Sequence, residues 1–273
     1  MTTAHILILL ATGIGGGFAG GLLGLSGAII MTPVQYLVFT DMGLPTDLAV
    51  KLAFGTSLLV ILPLAASGAW RHSLKGVVRW RVALIMGSCG LVFAFGGATL
   101  AAHLPGAGLK VAFGAVIMLS ALRMLTAPSP DVEASPRENP WLLAAWAVPV
   151  GFVCGIFGIG GIVMIPVLVL ALRFRMLNAV GTSLALMLFT AAGGAIGYLV
   201  NGIGVSGLPA HSIGYVNLES WGLLAVASVG TAQLGAIAAH KLPAHLLRYI
   251  FIAVMFYMGL KMLGVFDWLG WPL

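Results

Sequence analysis

Long apolar runs separated by short polar breaks set the pattern of this chain. A bilayer span needs about 20 mostly apolar residues. Six stretches meet that length, roughly 48–69, 80–102, 106–125, 177–199, 219–239 and 244–265. Two further segments, 5–40 and 141–172, are too long and too broken by glycine to be simple spans. The pattern predicts an all-α polytopic membrane protein. The first ten residues lack the basic start of a signal peptide, and no small-residue cleavage site follows, so the N-terminus is expected to be retained. The one clearly polar stretch, 127–140 (APSPDVEASPRENP), reads as a solvated linker from its prolines and mixed charges.

The chain also repeats itself. Gly17-Phe18-Ala19-Gly20-Gly21-Leu22-Leu23-Gly24 lines up with Gly151-Phe152-Val153-Cys154-Gly155-Ile156-Phe157-Gly158. Met31-Thr32-Pro33 answers Met164-Ile165-Pro166, with one gap allowed. Gly55-Thr56-Ser57-Leu58 recurs as Gly181-Thr182-Ser183-Leu184, and Ala101-Ala102-His103 as Ala238-Ala239-His240. Matches in one order predict two homologous halves, 1–126 and 140–273, joined by the linker 127–139. Duplicated halves are the usual construction of secondary transporters.

Charge orients the halves. The chain carries 13 Lys+Arg and 7 Asp+Glu in 273 residues, with 60% apolar residues. So few charges cannot cover a water-soluble surface, which excludes a soluble enzyme, a disordered protein and a nucleic-acid binder. If 5–40 and 141–172 each cross once, Lys+Arg divide 7 to 6 between the two sides. If each is a re-entrant hairpin, ten (Arg71, Lys75, Arg79, Arg81, Arg123, Arg137, Arg173, Arg175, Lys241 and Arg248) face three (Lys51, Lys110 and Lys261). Lysine and arginine concentrate on the cytoplasmic side of membrane proteins. The expectation is therefore two inverted repeats, each a re-entrant helical hairpin plus three transmembrane helices, in the cell inner membrane with both termini outside.

Candidate chemistry lies at the breaks. The predicted tips are Leu23-Gly24-Leu25-Ser26-Gly27 and Phe157-Gly158-Ile159-Gly160-Gly161. A helix restarting inside the bilayer exposes unpaired N–H groups that favour an anion. The competing account is that these glycines only let helices pack closely. Thr56, Ser57, Thr182 and Ser183 are hydroxyl candidates beside the tips, although helical Ser and Thr also bond back to their own carbonyls. Gln35, Asn178 and Gln233 are further polar candidates for a cavity. Lys51 is expected as a snorkelling interfacial lysine, and the matched His103 and His240 as interfacial residues. No Asp or Glu falls inside an assigned span, Glu219 and Asp267 sitting at span edges, which argues against a carboxylate proton relay or an intramembrane cation site and points to an anion. Gly24-Leu25-Ser26-Gly27 also matches the short GxSG pattern of rhomboid-type intramembrane proteases, but no histidine lies deep in a span. Cys89 and Cys154 read as small hydrophobes, and no metal or cofactor is expected.

The duplicated segment G-F-x-x-G-x-x-G-x-[GS]-G with its following proline, and then GTSL, resembles the sulfite exporter (TauE/SafE) family, whose members are also described as sulfonate permeases. The resemblance covers nearly the whole chain. It implies secondary transport, by export, of a small sulfur-containing anion such as sulfite or a sulfoacetate-like sulfonate, moved by alternating access in a lipid bilayer. By motif position it carries substrate binding to Gly24, Ser26, Gly27, Thr56, Ser57, Gly158, Gly160, Gly161, Thr182 and Ser183. A channel-like uniport pathway and a non-transporting membrane scaffold stand as the alternatives.

Overall fold

The computed structural model describes residues 1–23, 27–126, 136–238 and 244–265. Gly24 and Ser26 of the first tip, most of the linker, His240 and Asp267 lie outside the described residues. The first half runs α1 (Thr3–Leu23), α2 (Ala28–Asp41), α3 (Thr46–Leu74), α4 (Trp80–His103) and α5 (Gly106–Thr126). The second runs α6 (Pro140–Phe157), α7 (Gly161–Pro166), α8 (Met176–Asn201), α9 (Leu218–Ala238) and α10 (Ala244–Met262). A two-stranded hairpin, β1 (Ser212–Ile213) with β2 (Val216–Asn217), precedes α9.

Local chemistry places the boundaries. Asn139 caps α6 by accepting from the Trp141 N–H, with Pro140 at the first helical position where its missing donor costs nothing. Asp47 sits in the first turn of α3, facing the positive end of the helix dipole. Gly158 ends α6 in the left-handed conformation, φ +64°, which side chains rarely adopt. Pro166 lacks the N–H that would continue α7, and the chain widens there into a π-helical stretch, Val167–Ala171.

Six described helices are long and apolar enough to cross a membrane: α1, α3, α4, α5, α6 and α8. Four of them coincide with expected spans. The other two, α1 and α6, are the first arms of the two long segments. At 1.5 Å per residue they reach about 31 and 27 Å, close to the thickness of a hydrocarbon core. Each of these segments is tied at its feet. His5 Nε2 lies 2.8 Å from Asp41 Oδ2, joining the start of α1 to the end of α2. The Arg137 N–H donates to the Leu172 carbonyl at 2.9 Å, joining the approach to α6 to the end of the π-helical stretch.

The halves interlock. α1 packs on α9 and α6 on α4, so the first helix of each half lies against the fourth helix of the other. α3 packs on α8 and α5 on α10. The individual contacts match as well. A Cβ at Gly21 would overlap the Ala232 backbone carbonyl, and one at Gly155 the Ala94 carbonyl. Gly235 approaches the Phe18 carbonyl as Gly97 approaches that of Phe152. Lipid gives no hydrophobic drive for helices to associate, so such small-residue faces supply the van der Waals contact instead.

Candidate functional site

The second tip is filled. Gly158, Ile159 and Gly160 are all buried. A Cβ at Gly158 would fall 2.9 Å from the Phe54 carbonyl oxygen, and one at Gly160 2.7 Å from the Met187 side chain. Gly161 opens α7, whose six residues give only a short dipole. Of the first tip, Gly27 is described and buried, against the backbone of Gly16.

The described residues of the two hairpin segments touch α3 at different points. Gly158 meets α3 at Phe54, whereas Gly20 and Gly21, just before the first tip, share a cleft with Leu64, Gly68 and Arg71 of α3. From Phe54 to Leu64 is 64 − 54 = 10 residues, about 15 Å along the axis. The junction of the two tips expected from sequence involves Gly24 and Ser26, which lie outside the described residues.

Thr56 and Thr182 act as matched ties. Both are fully buried. Thr56 Oγ1 accepts from the Asn217 N–H at 2.9 Å, and Thr182 Oγ1 from the Arg79 N–H at 3.1 Å. Asn217 and Arg79 immediately precede α9 and α4, so each hydroxyl holds the entry of a helix from the opposite half. Asn178 does likewise, donating to the Val77 carbonyl at 2.9 Å. Ser183 bonds back to the Val180 carbonyl of its own helix. Ser57 differs: it accepts from both Thr32 and Gln35 of α2, each at 2.7 Å, inside a fully buried cluster.

Lys51 does not snorkel into solvent. Its Nζ lies 2.8 Å from Asp47 Oδ2, and its side chain is only 7% exposed. It also sits 5.9 Å from the centre of the Tyr215 ring. In the loop before α9, burial and then the neighbouring Asp47 charge push the Tyr215 phenol above its ordinary range, so it stays neutral. Asp47 Oδ1 accepts from the Gly106 N–H, tying α3 to the start of α5. His103 is exposed and bonded to the Thr99 carbonyl of its own helix, in keeping with an interfacial place.

A shallow, narrow cleft is lined by Gly20, Gly21, Leu64, Gly68, Arg71, His72, Leu184, Ala232 and Gln233. Arg71 Nη1 donates to Gln233 Oε1 at 2.8 Å, and the Gln233 amide donates in turn to Ser67 Oγ. The guanidinium is permanently charged and presents a fork of donors suited to an oxyanion. Glycines on the facing wall leave backbone within reach. Sequence reasoning counted Arg71 only as an orientation charge and did not single out His72. The available signal was Arg71 falling three residues after Gly68, almost one turn, on a helix facing the first tip. Of the three polar cavity candidates Gln35, Asn178 and Gln233, this cleft holds Gln233. Among the described residues no group of three or more His, Cys, Asp or Glu is placed to hold a metal ion.

Comparison with known proteins agrees with this architecture. The family described as sulfite exporter TauE/SafE matches residues 9–262. A protein of Methanocaldococcus jannaschii named "Probable membrane transporter protein" is 31% identical over 262 residues, 94% of each chain. A protein of that name from Xylella fastidiosa is 32% identical over 189 residues, covering 67% of this chain and 70% of its own. Another from Haemophilus influenzae is 24% identical across 94% of this chain and 97% of its own. No solved structure matches. The chain belongs to the TauE/SafE sulfite exporter family and is a multi-pass membrane transporter, not an enzyme.

Proposed function

We propose that this transporter exports a small sulfur-containing anion, sulfite or a sulfonate, by alternating access between two inverted halves. The observation that carries the reading is the cleft beside the first tip, where Arg71 and Gln233 face Gly20 and Gly21. A fixed positive charge and an amide opposite two glycines form an entry site for an oxyanion. The tied feet of both hairpins and the exchange of packing partners between halves support the inverted arrangement. On that arrangement Arg71 lies on the cytoplasmic side of the inner membrane, where an exporter collects its cargo, and both termini lie outside.

The test is a thermal-shift screen of the purified protein against sulfite, sulfate, thiosulfate, sulfoacetate and taurine, followed by transport in proteoliposomes. A ligand bound only by the native state raises its melting temperature. Arg71→Gln removes a charge-assisted bond and is expected to weaken the responding anion about tenfold or more. A wild-type protein that responds to none of these anions, or an Arg71→Gln variant of unchanged affinity, overturns the reading. Transport that ignores an imposed pH gradient favours uniport over proton-coupled exchange.

A further inference from the structure

Behind the first tip, α2 carries Thr32 and Gln35 about one turn apart, and α3 places Ser57 against both. All three are fully buried. The Thr32 hydroxyl and the Gln35 amide both donate to one atom, Ser57 Oγ, each at 2.7 Å. The other end of the amide, Gln35 Oε1, has no hydrogen-bond partner among the described residues. Buried polar groups are costly unless satisfied, and the fold does not require these. The second half fills the matching positions with Ile165 and Leu168 (32 + 133 = 165, 35 + 133 = 168), both buried. Ser183, the match of Ser57, bonds to its own helix instead. The duplication thus contains its own control: the same packing position works with apolar side chains.

We propose that Thr32 and Gln35 form a neutral subsite for one oxygen of the transported anion, whose place Ser57 Oγ holds in this structure, and that the subsite selects singly charged sulfur oxyanions over doubly charged ones. The inference rests on the proposed anion transport. Two donors converging on one oxygen is the arrangement an oxyanion needs. Ser57 lies 64 − 57 = 7 residues from Leu64 at the wall of the Arg71 cleft, about 10 Å along α3. An anion leaving the guanidinium for this depth keeps hydrogen bonds but loses its counter-charge. Neutral donors satisfy oxygen lone pairs without offsetting net charge, and the cost of desolvating an ion rises steeply with its charge. Hydrogen sulfite and sulfonates with no second charged group pass that requirement, whereas sulfate, the sulfite dianion and sulfoacetate do not.

The experiment uses full-length protein in proteoliposomes, with methanesulfonate as the singly charged probe and sulfate as the doubly charged one. Melting temperatures are measured alongside in detergent. A Thr32→Ile, Gln35→Leu double variant copies the second half, so it is expected to fold with a melting temperature at or above wild type while KM for methanesulfonate rises at least tenfold. Ser57→Ala removes the stand-in oxygen and frees both donors. It should lower the melting temperature of the ligand-free protein yet enlarge the shift caused by methanesulfonate, which decides the matter even if the double variant does not fold. A purely structural cluster predicts lowered stability with KM and ligand shift unchanged, and that result overturns the subsite. So does a wild-type preference for sulfate. Wild-type protein moving neither anion overturns the proposed function itself.

Discussion

The buried hydroxyls of Thr56 and Thr182 each accept a backbone N–H that belongs to the other half of the molecule. The repeated Gly-Thr-Ser-Leu was plain in the sequence, and the substrate role it suggested was one of two readings. The partners, 161 and 103 residues away, were not legible, because a hydroxyl's partner depends on which helix end the fold brings against it. Removing one hydroxyl leaves an N–H unpaired, buried at Asn217 and part-buried at the exposed Arg79, which costs up to about 1–3 kcal/mol. Thr56→Val and Thr182→Val are therefore each expected to lower stability by that amount in chemical denaturation of the purified protein. If the double variant keeps wild-type stability and loses anion affinity, these threonines are ligands and not ties. Lys51 teaches the same lesson. Its length suggested a head reaching water, but Asp47, one turn earlier, holds it in the interior.

At the scale of helices, the glycine excess (38 residues) announced close packing or breaks without saying which glycine did which. Gly17 and Gly21 of α1, like Gly151 and Gly155 of α6, touch the backbone of the facing helix. Gly15, two residues earlier than Gly17 in the same run, has nothing within 4 Å of a built Cβ. Gly21→Leu and Gly155→Leu should push α1 off α9 and α6 off α4, seen as loss of monodisperse protein on extraction. Gly15→Ala should be tolerated or stabilising by up to about 1 kcal/mol, since alanine holds a helix better than glycine. Similar losses at Gly15 and Gly21 would mean that the contacts do not govern assembly. The hairpin breaks were readable because glycine and proline act locally. The filling of the second tip by Phe54 and Met187 was not, because both come from other elements.

At the scale of the whole molecule, the proposed inverted arrangement rests on charge asymmetry in the sequence and on the ties at the feet of the two long segments. It places the loop after α3 and the loop after α8 on opposite sides of the membrane. Leu74 (73% exposed) and Ile203 (71% exposed) mark those loops. In a background lacking Cys89 and Cys154, an impermeant maleimide added to intact cells should label Ile203→Cys and spare Leu74→Cys. Labelling of both, or of neither until the cells are opened, sinks the arrangement.

By itself the sequence determined that this is a helical membrane protein and which family it belongs to, and it supplied the expectation of glycine-broken helices in two duplicated halves. Those properties follow from apolar run length, from backbone effects of glycine and proline, and from order along the chain, all of which are local or linear. Only the tertiary structure decided which polar groups tie the halves together. The same is true of the placing of Arg71 in a cleft with Gln233, and of the polar cluster that one half keeps and the other replaces with isoleucine and leucine. The reason is that a hydrogen-bond partner, a cavity wall and a backbone contact are each made by residues from different helices. Halves that share motifs in the same order can therefore differ wherever their surroundings allow a polar side chain to be exchanged for an apolar one.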